Sequence, residues 1–452
     1  MPVRMSEFIT VQVGQCGNQI GSVFWPQVLE EYGITSRNSN STPSRIDKSF
    51  KSFFDCPESF PKACHSATEL RRSKVTARAL LVDMEEKVVD RFHHGSLHHL
   101  FDKKCFLTNH PGSGNNWAVG HFTHFNSHRS ALEDKLRHMA EKCDCLCGVL
   151  VLLSLGGGTG AGLGTAIVRL LEDQFPLVDR FVTCVHPGQY NDVITSPYNI
   201  ALSLRCLSEH ASCVIPVDNK ALGDICERHQ LNKGTKPFQD VNNVIVSMLL
   251  NLTSGSRFSG SLNCDLSDLS SLVPRPSLHY LSASLSPLDL NLSRDVSFVN
   301  KKRNLLQEVC AREDQLLRVN ALGGQLLSAA LLCRGQVPLS TLRQYVTRFQ
   351  SKVKYASWSD PGVKTGLCSV PPVGHNSAML CLVNSTNMAN FFNDSLHHFN
   401  LLYKRKAHVH HYTNVDGFDC DDFLLTRESL MTSAMKYSEA ANFVEIPRLK
   451  VR

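Results

Sequence analysis

Ser154-Leu155-Gly156-Gly157-Gly158-Thr159-Gly160-Ala161-Gly162 places five glycines within seven residues. The stretch follows the apolar run Gly148-Val149-Leu150-Val151-Leu152-Leu153 and leads into a helical pattern from Thr165 to Gln174. Residues without a Cβ let a backbone lie close to a ligand and take positive φ. The unpaired N–H groups and dipole of a following helix make such a turn an anion site, with a phosphate chain as the natural guest. Without a ligand the same residues would form a tight strand-to-helix turn. A Walker loop would need Gly-Lys-Ser/Thr, which this stretch lacks. Gly156, Gly158 and Ala161 give a loose GxGxxA match. A dinucleotide fold, however, carries that loop after its first strand, and here it begins at residue 154.

Working outward, Phe8–Val13, Ala77–Asp83, Phe181–Val185 and Cys213–Asp218 are further apolar runs of strand length. Helical patterns separate them, around Ile20–Leu29 (with Pro26 predicting a kink) and Ala131–Lys142. Apolar strands alternating with helices predict an α/β fold with a parallel sheet covered on both faces. Ligands of such sheets bind at the carboxyl ends of the strands. Those ends carry Gly14-Gln15, Asp83, the glycine loop, Pro187-Gly188 and Asp218-Asn219. Residues 33–74 are Ser-, Lys- and Pro-rich and read as a long surface excursion. Val241–Leu252 reads as a helix and 253–276 as loop-rich. A mixed region to about residue 386 precedes two helices, Met388–Ala407 and Leu424–Phe443.

The chain has 452 residues, 42% hydrophobic and 19% charged. That suits two or three sub-domains around a large core. No apolar run is long enough to span a membrane, and the N-terminus has no apolar segment of the secretory kind. The 17 cysteines are odd in number and scattered, several of them, such as Cys184, Cys213 and Cys333, inside apolar runs. They read as reduced thiols of a cytosolic protein. A net charge of +6 is mild and dispersed, which disfavours a nucleic-acid partner.

Gly14-Gln15-Cys16-Gly17-Asn18-Gln19-Ile20-Gly21, Gly114-Asn115-Asn116-Trp117-Ala118 and the glycine loop together resemble the tubulin superfamily over nearly the whole chain. The epsilon-tubulin branch is suggested by Asp83-Met84-Glu85-Glu86, by Asp192–Asn199 and by Lys404–Tyr412. The resemblance implies a GTPase domain over 1–219, an intermediate α+β domain over 220–386 with a T7-type loop and lateral contacts, and C-terminal helices over 387–452. It also implies GTP and Mg2+ as cofactors. Gln15, Cys16 and Asn18 would form the first nucleotide loop, and Asp83 and Glu85 would face phosphate and magnesium. Gly114 and Asn115 would touch the terminal phosphates. Ser154, Gly157, Gly158, Thr159 and Gly160 would cradle the phosphate chain. Asp192 would lie by the sugar, Asn219 and Asn242 would read the guanine edge, and Phe238 would stack on the base. Taken alone, the two asparagines could equally cap helices, and Phe238 could be core.

This sequence departs from the alpha and beta pattern at three of these places. Glu86-Lys87 follows the second acid where Pro is usual, Ser196 replaces a Glu near the ribose, and Phe238 replaces Tyr. In the family the next subunit completes the hydrolytic site. Asp268, in Gly260–Asp268, falls at the acidic position and would orient water in trans as part of a weak assembly-coupled GTPase; the bland reading is a solvated helix residue. His94 and His98 would share a helical face. The triple Cys143, Cys145, Cys147 reads as thiols leading into a strand, since zinc sites use paired CxxC-type spacings. The last residues, Val444–Arg452, are basic where alpha and beta chains end in acidic tails.

The function implied is a GTP-binding structural subunit of the cytoplasm and cytoskeleton, at centrosomes, centrioles and basal bodies. It would act in doublet and triplet microtubules, with delta-tubulin, other tubulins and centriole proteins as partners and no membrane. A non-polymerising GTP-binding regulator is the alternative, and a dinucleotide enzyme a third, distinguished by preference for NAD.

Overall fold

The computed structural model describes residues 6–34, 48–57, 66–188, 192–229, 238–258, 260–274, 278–288, 304–359 and 362–442. The basic end 444–452 lies outside them, as do parts of the 33–74 stretch. In the first half of the chain the strands are β1 (Glu7–Val13), β2 (Phe54–Asp55), β3 (Thr76–Ala77), β4 (Ala79–Asp83), β5 (Phe106–Thr108), β6 (Leu146–Ser154), β7 (Asp179–His186) and β8 (Cys213–Asp218). β2 and β3 pair with each other. The other six form one sheet in the order β5-β4-β1-β6-β7-β8, parallel throughout.

The pleat divides the strand residues between two cores. Phe8, Leu150 and Leu152 face one core, with the helices Gly14–Glu31 and Gln239–Leu252. Ile9, Val11, Val149 and Val151 face the other, with the helices Gly164–Gln174 and Ser196–His210 and the C-terminal pair Met388–Tyr403 and Cys420–Glu439. This is the double cover that the uninterrupted apolar strands predict.

Several expectations are corrected. Around residues 50–54 the 33–74 stretch is not a surface excursion. Phe50, Phe53 and Phe54 are buried and stack among Phe8, Phe24, Trp25 and Tyr32. Each such ring contributes about 1.5–3 kcal/mol by leaving water, enough to pin a polar segment. The helix Gly14–Glu31 continues through Pro26, which stands exposed on its outer side. Helix Phe125–Glu141 begins well before Ala131, because a π-helical turn, Val119–His124, leads into it. The helix Glu86–His94 ends at Gly95. His94 therefore bonds back to the Asp90 carbonyl, and His98, in a separate 3-10 turn, to that of Gly95. The loop-rich 253–276 region contains the short helices Ser254–Arg257 and Leu266–Ser270.

In the second half, β9 (Gly260–Leu262), β10 (Ser282–Ser286), β11 (Gln325–Gly335), β12 (Lys354–Tyr355), β13 (Val363–Cys368) and β14 (Ser377–Ser385) form a mixed sheet. Its order is β10-β14-β11-β13-β9, with β12 beside β11. A buried ionic triad joins this half to the first. Glu31 meets Arg257 Nη1 at 2.6 Å and Arg334 Nη1 at 2.7 Å. Burial alone would raise the Glu31 carboxyl, but the two guanidinium groups hold it below its ordinary range. Arg257 and Arg334 also donate to the Leu250 carbonyl.

Candidate nucleotide site

Because all six strands of the first sheet are parallel, their carboxyl ends open on one edge. β1 delivers Gly14 at φ +70°, where any Cβ would lie 2.9 Å from Gly160 N. The first loop and the glycine loop thus touch backbone to backbone, which only glycine permits. Asn18 is fully buried and donates to the carbonyls of Gly14 (3.0 Å) and Val82 (3.1 Å), locking the first loop to the end of β4. Gln15 is exposed and Cys16 half-buried. Burial pushes the Cys16 thiol up to about 12, so it lies here as a neutral group.

After β6 the glycine loop enters a π-helical turn, Thr159–Leu163, and then the helix Gly164–Gln174. The turn's first backbone bond runs from Gly162 N to Gly158 O, 2.7 Å. The preceding N–H groups remain as donors for an anion. A Cβ at Gly158 would strike Ser113 and Asn116, and one at Gly160 would crowd Ser154 Oγ. Thr159 Oγ1 and Ser113 Oγ share a 2.8 Å hydrogen bond. Across the rim, Gly114 and Asn115 both take left-handed φ, +55° and +53°. The nearest side chain to Gly157 is the Asn115 amide.

β4 ends in Asp83, 3% exposed, whose Oδ2 has no hydrogen-bond partner. Burial pushes its carboxyl up to about 7, against the partial relief of a bond from the Met84 backbone. Glu85, two residues on, is exposed. Among the described residues no three His, Cys, Asp or Glu side chains form a metal cage. Two carboxylates, one buried and uncompensated, suit a hard divalent cation that takes its remaining oxygens from phosphates and water. The donor set therefore fits Mg2+ carried with a nucleotide, which Asp83 and Glu85 would hold.

β7 leads toward Asp192, which is exposed. β8 leads to Asn219. The cap of the helix Asn219–Arg228 is Asp218, which accepts from Lys220 N at 2.7 Å. Phe238 caps Gln239–Leu252, with Asn242 inside its first turn. Neither asparagine is a helix cap. Nor is Phe238 core: it is 57% exposed and held at φ +60°, a conformation that costs a bulky residue about 1–2 kcal/mol. Gln27 Nε2 meets Asn243 Oδ1 at 2.9 Å, and Arg334 joins Glu31 to Leu250 further along. The helices Gly14–Glu31 and Gln239–Leu252 therefore run the same way, with Phe238 toward the nucleotide end. Ser196 is fully buried, its hydroxyl unpartnered and close to Gly156.

Asp268 does not join this edge. Its neighbours Leu272 and Leu278 are tied to Asn384, and His279 O accepts from Val214 N near the start of β8. It thus belongs to the opposite end of the sheet. Its Oδ2 accepts from Asp265 N at 3.0 Å in a capping box, and Lys364 Nζ lies 3.8 Å from Oδ1. The cysteine triple lies at the start of β6, also away from the rim. Its three thiols are half-buried, with Cys145 and Cys147 Sγ 3.6 Å apart.

Sequence reading missed Asn199. This fully buried amide uses all four of its hydrogen-bonding positions. Nδ2 donates to Asn115 O (2.8 Å) and Gly156 O (2.9 Å); Oδ1 accepts from Trp117 N (3.0 Å) and Tyr412 OH (2.6 Å). The available signal was an amide in a helix between Tyr198 and the apolar run Ile200-Ala201-Leu202.

The Tubulin/FtsZ family GTPase domain matches residues 7–227, and the tubulin C-terminal domain residues 276–397. The chain is 40% identical to the tubulin epsilon chain of Mus musculus, over 99% of this chain and all of that one. It is 39% identical to the tubulin epsilon chain of Homo sapiens, over 96% of each. To the tubulin beta-1 chain of Homo sapiens it is 32% identical, over 93% of this chain and 90% of the relative. With both domains matched in order and near full-length identity on top of this geometry, the chain belongs to the tubulin family and is more similar to these epsilon chains than to the beta chain.

Proposed function

We propose that this chain binds GTP with Mg2+ along the parallel-sheet edge and serves as a specialised structural subunit of tubulin assemblies. The observation that carries the reading is the meeting of Gly14–Asn18, Asp83, Asn115 and the glycine loop around donors and an uncompensated carboxylate. In this reading Ser154, Gly157, Gly158, Thr159 and Gly160 cradle the phosphates. Gly114 and Asn115 meet the terminal phosphate, Asp192 borders the sugar, Phe238 stacks on the base, and Asn219 and Asn242 read it. The exposed, left-handed Phe238 and the two non-capping amides support the base-binding part.

Resemblance to epsilon-tubulin supports work at centrioles and basal bodies, in doublet and triplet microtubules, with delta-tubulin as partner. Asp268, at the far end of the sheet from its own nucleotide edge, is suited to act only on a neighbour's nucleotide. Its engagement by Asp265 and Lys364 supports slow turnover. The test is to release and identify the nucleotide of purified protein, alone and with delta-tubulin. Near-stoichiometric guanine nucleotide is expected; bound NAD, or no nucleotide under either condition, refutes the reading. In assembled protein, GTP turnover unchanged by Asp268→Asn would remove the role in trans.

A further inference from the structure

We infer that Tyr412, from the C-terminal region, is a positioning residue of the nucleotide site, setting the terminal-phosphate turn through Asn199. The inference rests on the GTP reading above and extends it to a residue some three hundred positions from the turn it controls.

Asn115 and Gly114 are consecutive left-handed residues. For asparagine that backbone costs energy and persists only where the surroundings over-determine it. Two contacts do so: Asn199 Nδ2 and Thr195 Oγ1 both donate to the Asn115 carbonyl, at 2.8 and 3.3 Å. The same Asn199 amide group holds Gly156 O. The left-handed turn and the start of the glycine loop are thus tied together by one side chain. An amide can turn over about its last bond, exchanging donor for acceptor. Two donors onto Oδ1, Trp117 N and Tyr412 OH, oppose that exchange. Tyr412 is fully buried among Tyr198, Phe418 and Phe423, so its hydroxyl is aimed by packing. Its bond to Asn199, 2.6 Å, is the shortest of the four. Tyr198 belongs to the same ring cluster, but its hydroxyl goes to the Ala407 carbonyl and does not touch Asn199.

Removal of the Tyr412 hydroxyl leaves Trp117 N as the single donor onto Asn199 Oδ1, so the amide turns over more readily and its hold on the Asn115 turn loosens. Loss of one buried hydrogen bond is expected to weaken GTP roughly fivefold. GDP, which does not reach the turn, should be little changed.

The experiment measures release of fluorescent GTP and GDP from full-length wild type, Tyr412→Phe and Tyr198→Phe, alongside melting temperatures. The expected result is faster GTP release from Tyr412→Phe alone, so that its preference for GTP over GDP falls severalfold. An unchanged preference in Tyr412→Phe overturns the inference. So does an equal change in Tyr198→Phe, which would make the effect one of general packing. Should Tyr412→Phe not fold, Asn199→Asp, which loses the donors to Asn115 O and to Gly156 O, must lower the same preference or the inference fails. A wild type that binds neither nucleotide refutes the functional reading itself.

Discussion

Asp83→Asn separates the cost of the nucleotide edge from its use. In the nucleotide-free protein the Asp83 carboxyl ionises only near pH 7, because burial opposes its charge and Oδ2 finds no partner. An unfolded chain releases the same proton near pH 3.9. The folded state therefore holds the extra proton between these values. The penalty for ionising Asp83 is absent below about pH 3.9, grows as pH rises and is complete above about pH 7. At 1.36 kcal/mol per tenfold step it reaches about 4 kcal/mol as an upper bound. Half of that, allowing for local relaxation, is about 2 kcal/mol, or roughly 4–8 °C of melting temperature for a domain of this size. Asn keeps the shape and carries no charge. Nucleotide-free Asp83→Asn should thus melt above wild type at pH 8 and by a smaller margin at pH 5, the two converging only at about pH 4. Magnesium and GTP should reverse the order, since the cation turns the wild-type charge from cost to attraction. The assay is thermal melting from pH 5 to 8 with and without magnesium nucleotide. A nucleotide-free variant less stable than wild type at pH 8, or pH profiles that run parallel, would refute the reasoning.

Perturbations at Phe238, Glu31, Gly162 and Gly223 have direct readouts. Phe238→Ala should weaken guanine-nucleotide binding severalfold while barely moving the melting temperature, because the ring is exposed; equilibrium titration with a melt alongside checks both. Phe238→Tyr should bind as wild type. Glu31→Gln strands two buried guanidinium groups and should cost about 3–5 kcal/mol in denaturant unfolding. Gly162→Ala would set a Cβ 2.1 Å from the Trp117 carbonyl; it should yield little folded protein, as judged by soluble recovery, whereas Gly223→Ala, with open space at that position, should be neutral or slightly stabilising.

Most strands of the first sheet and their parallel sense were legible because a strand buried on both faces tends to run apolar without alternation. Gly148–Leu153 carries that signal without help from tertiary structure, whereas Phe8–Val13 alternates, its polar Thr10 and Gln12 being buried all the same. β5 was not legible: Phe106–Thr108 is a three-residue edge strand, too short for any period. The segment near Phe50 misled because its apolar residues are few and its Ser and Lys many. Burial there depends on Trp25 and Tyr32 arriving from another helix. The rim residues were legible only as a set: taken alone the asparagines could equally cap helices, and it is their order along the chain that resembles the family. Asn199 and Tyr412 were not legible, because their importance is a hydrogen bond between residues 213 positions apart. Asp268 was read as an acid at the position that the resemblance implies. Its capping box with Asp265 is local and was open to reading from the Asp-x-x-Asp spacing, whereas the approach of Lys364 from β13 was not.

The two ends of the sheet together constrain how copies or relatives can meet. Under the functional reading, the edge with Asp83 and Asn115 receives a residue that it does not own, and Asp268 is offered from the opposite end. A surface that gives and a different surface that receives make a heterologous contact. Such contacts do not close on a two-fold axis; they stack head to tail, and each added subunit leaves one giving and one receiving face. In this chain the giving face is restrained, since the Asp268 carboxylate is shared with Asp265 N and faces Lys364. The receiving face is ready, with its glycine loop, left-handed turn and uncompensated carboxylate already in place. A subunit with a formed receiving edge and a restrained giving edge favours accepting a neighbour over hydrolysing that neighbour's nucleotide. Lys364→Met, which frees one side of Asp268, should therefore raise assembly-coupled GTP turnover in wild-type chains and leave turnover in an Asp268→Asn background where it was; equal increases in both backgrounds would show that Lys364 acts on the loop and not through the carboxylate.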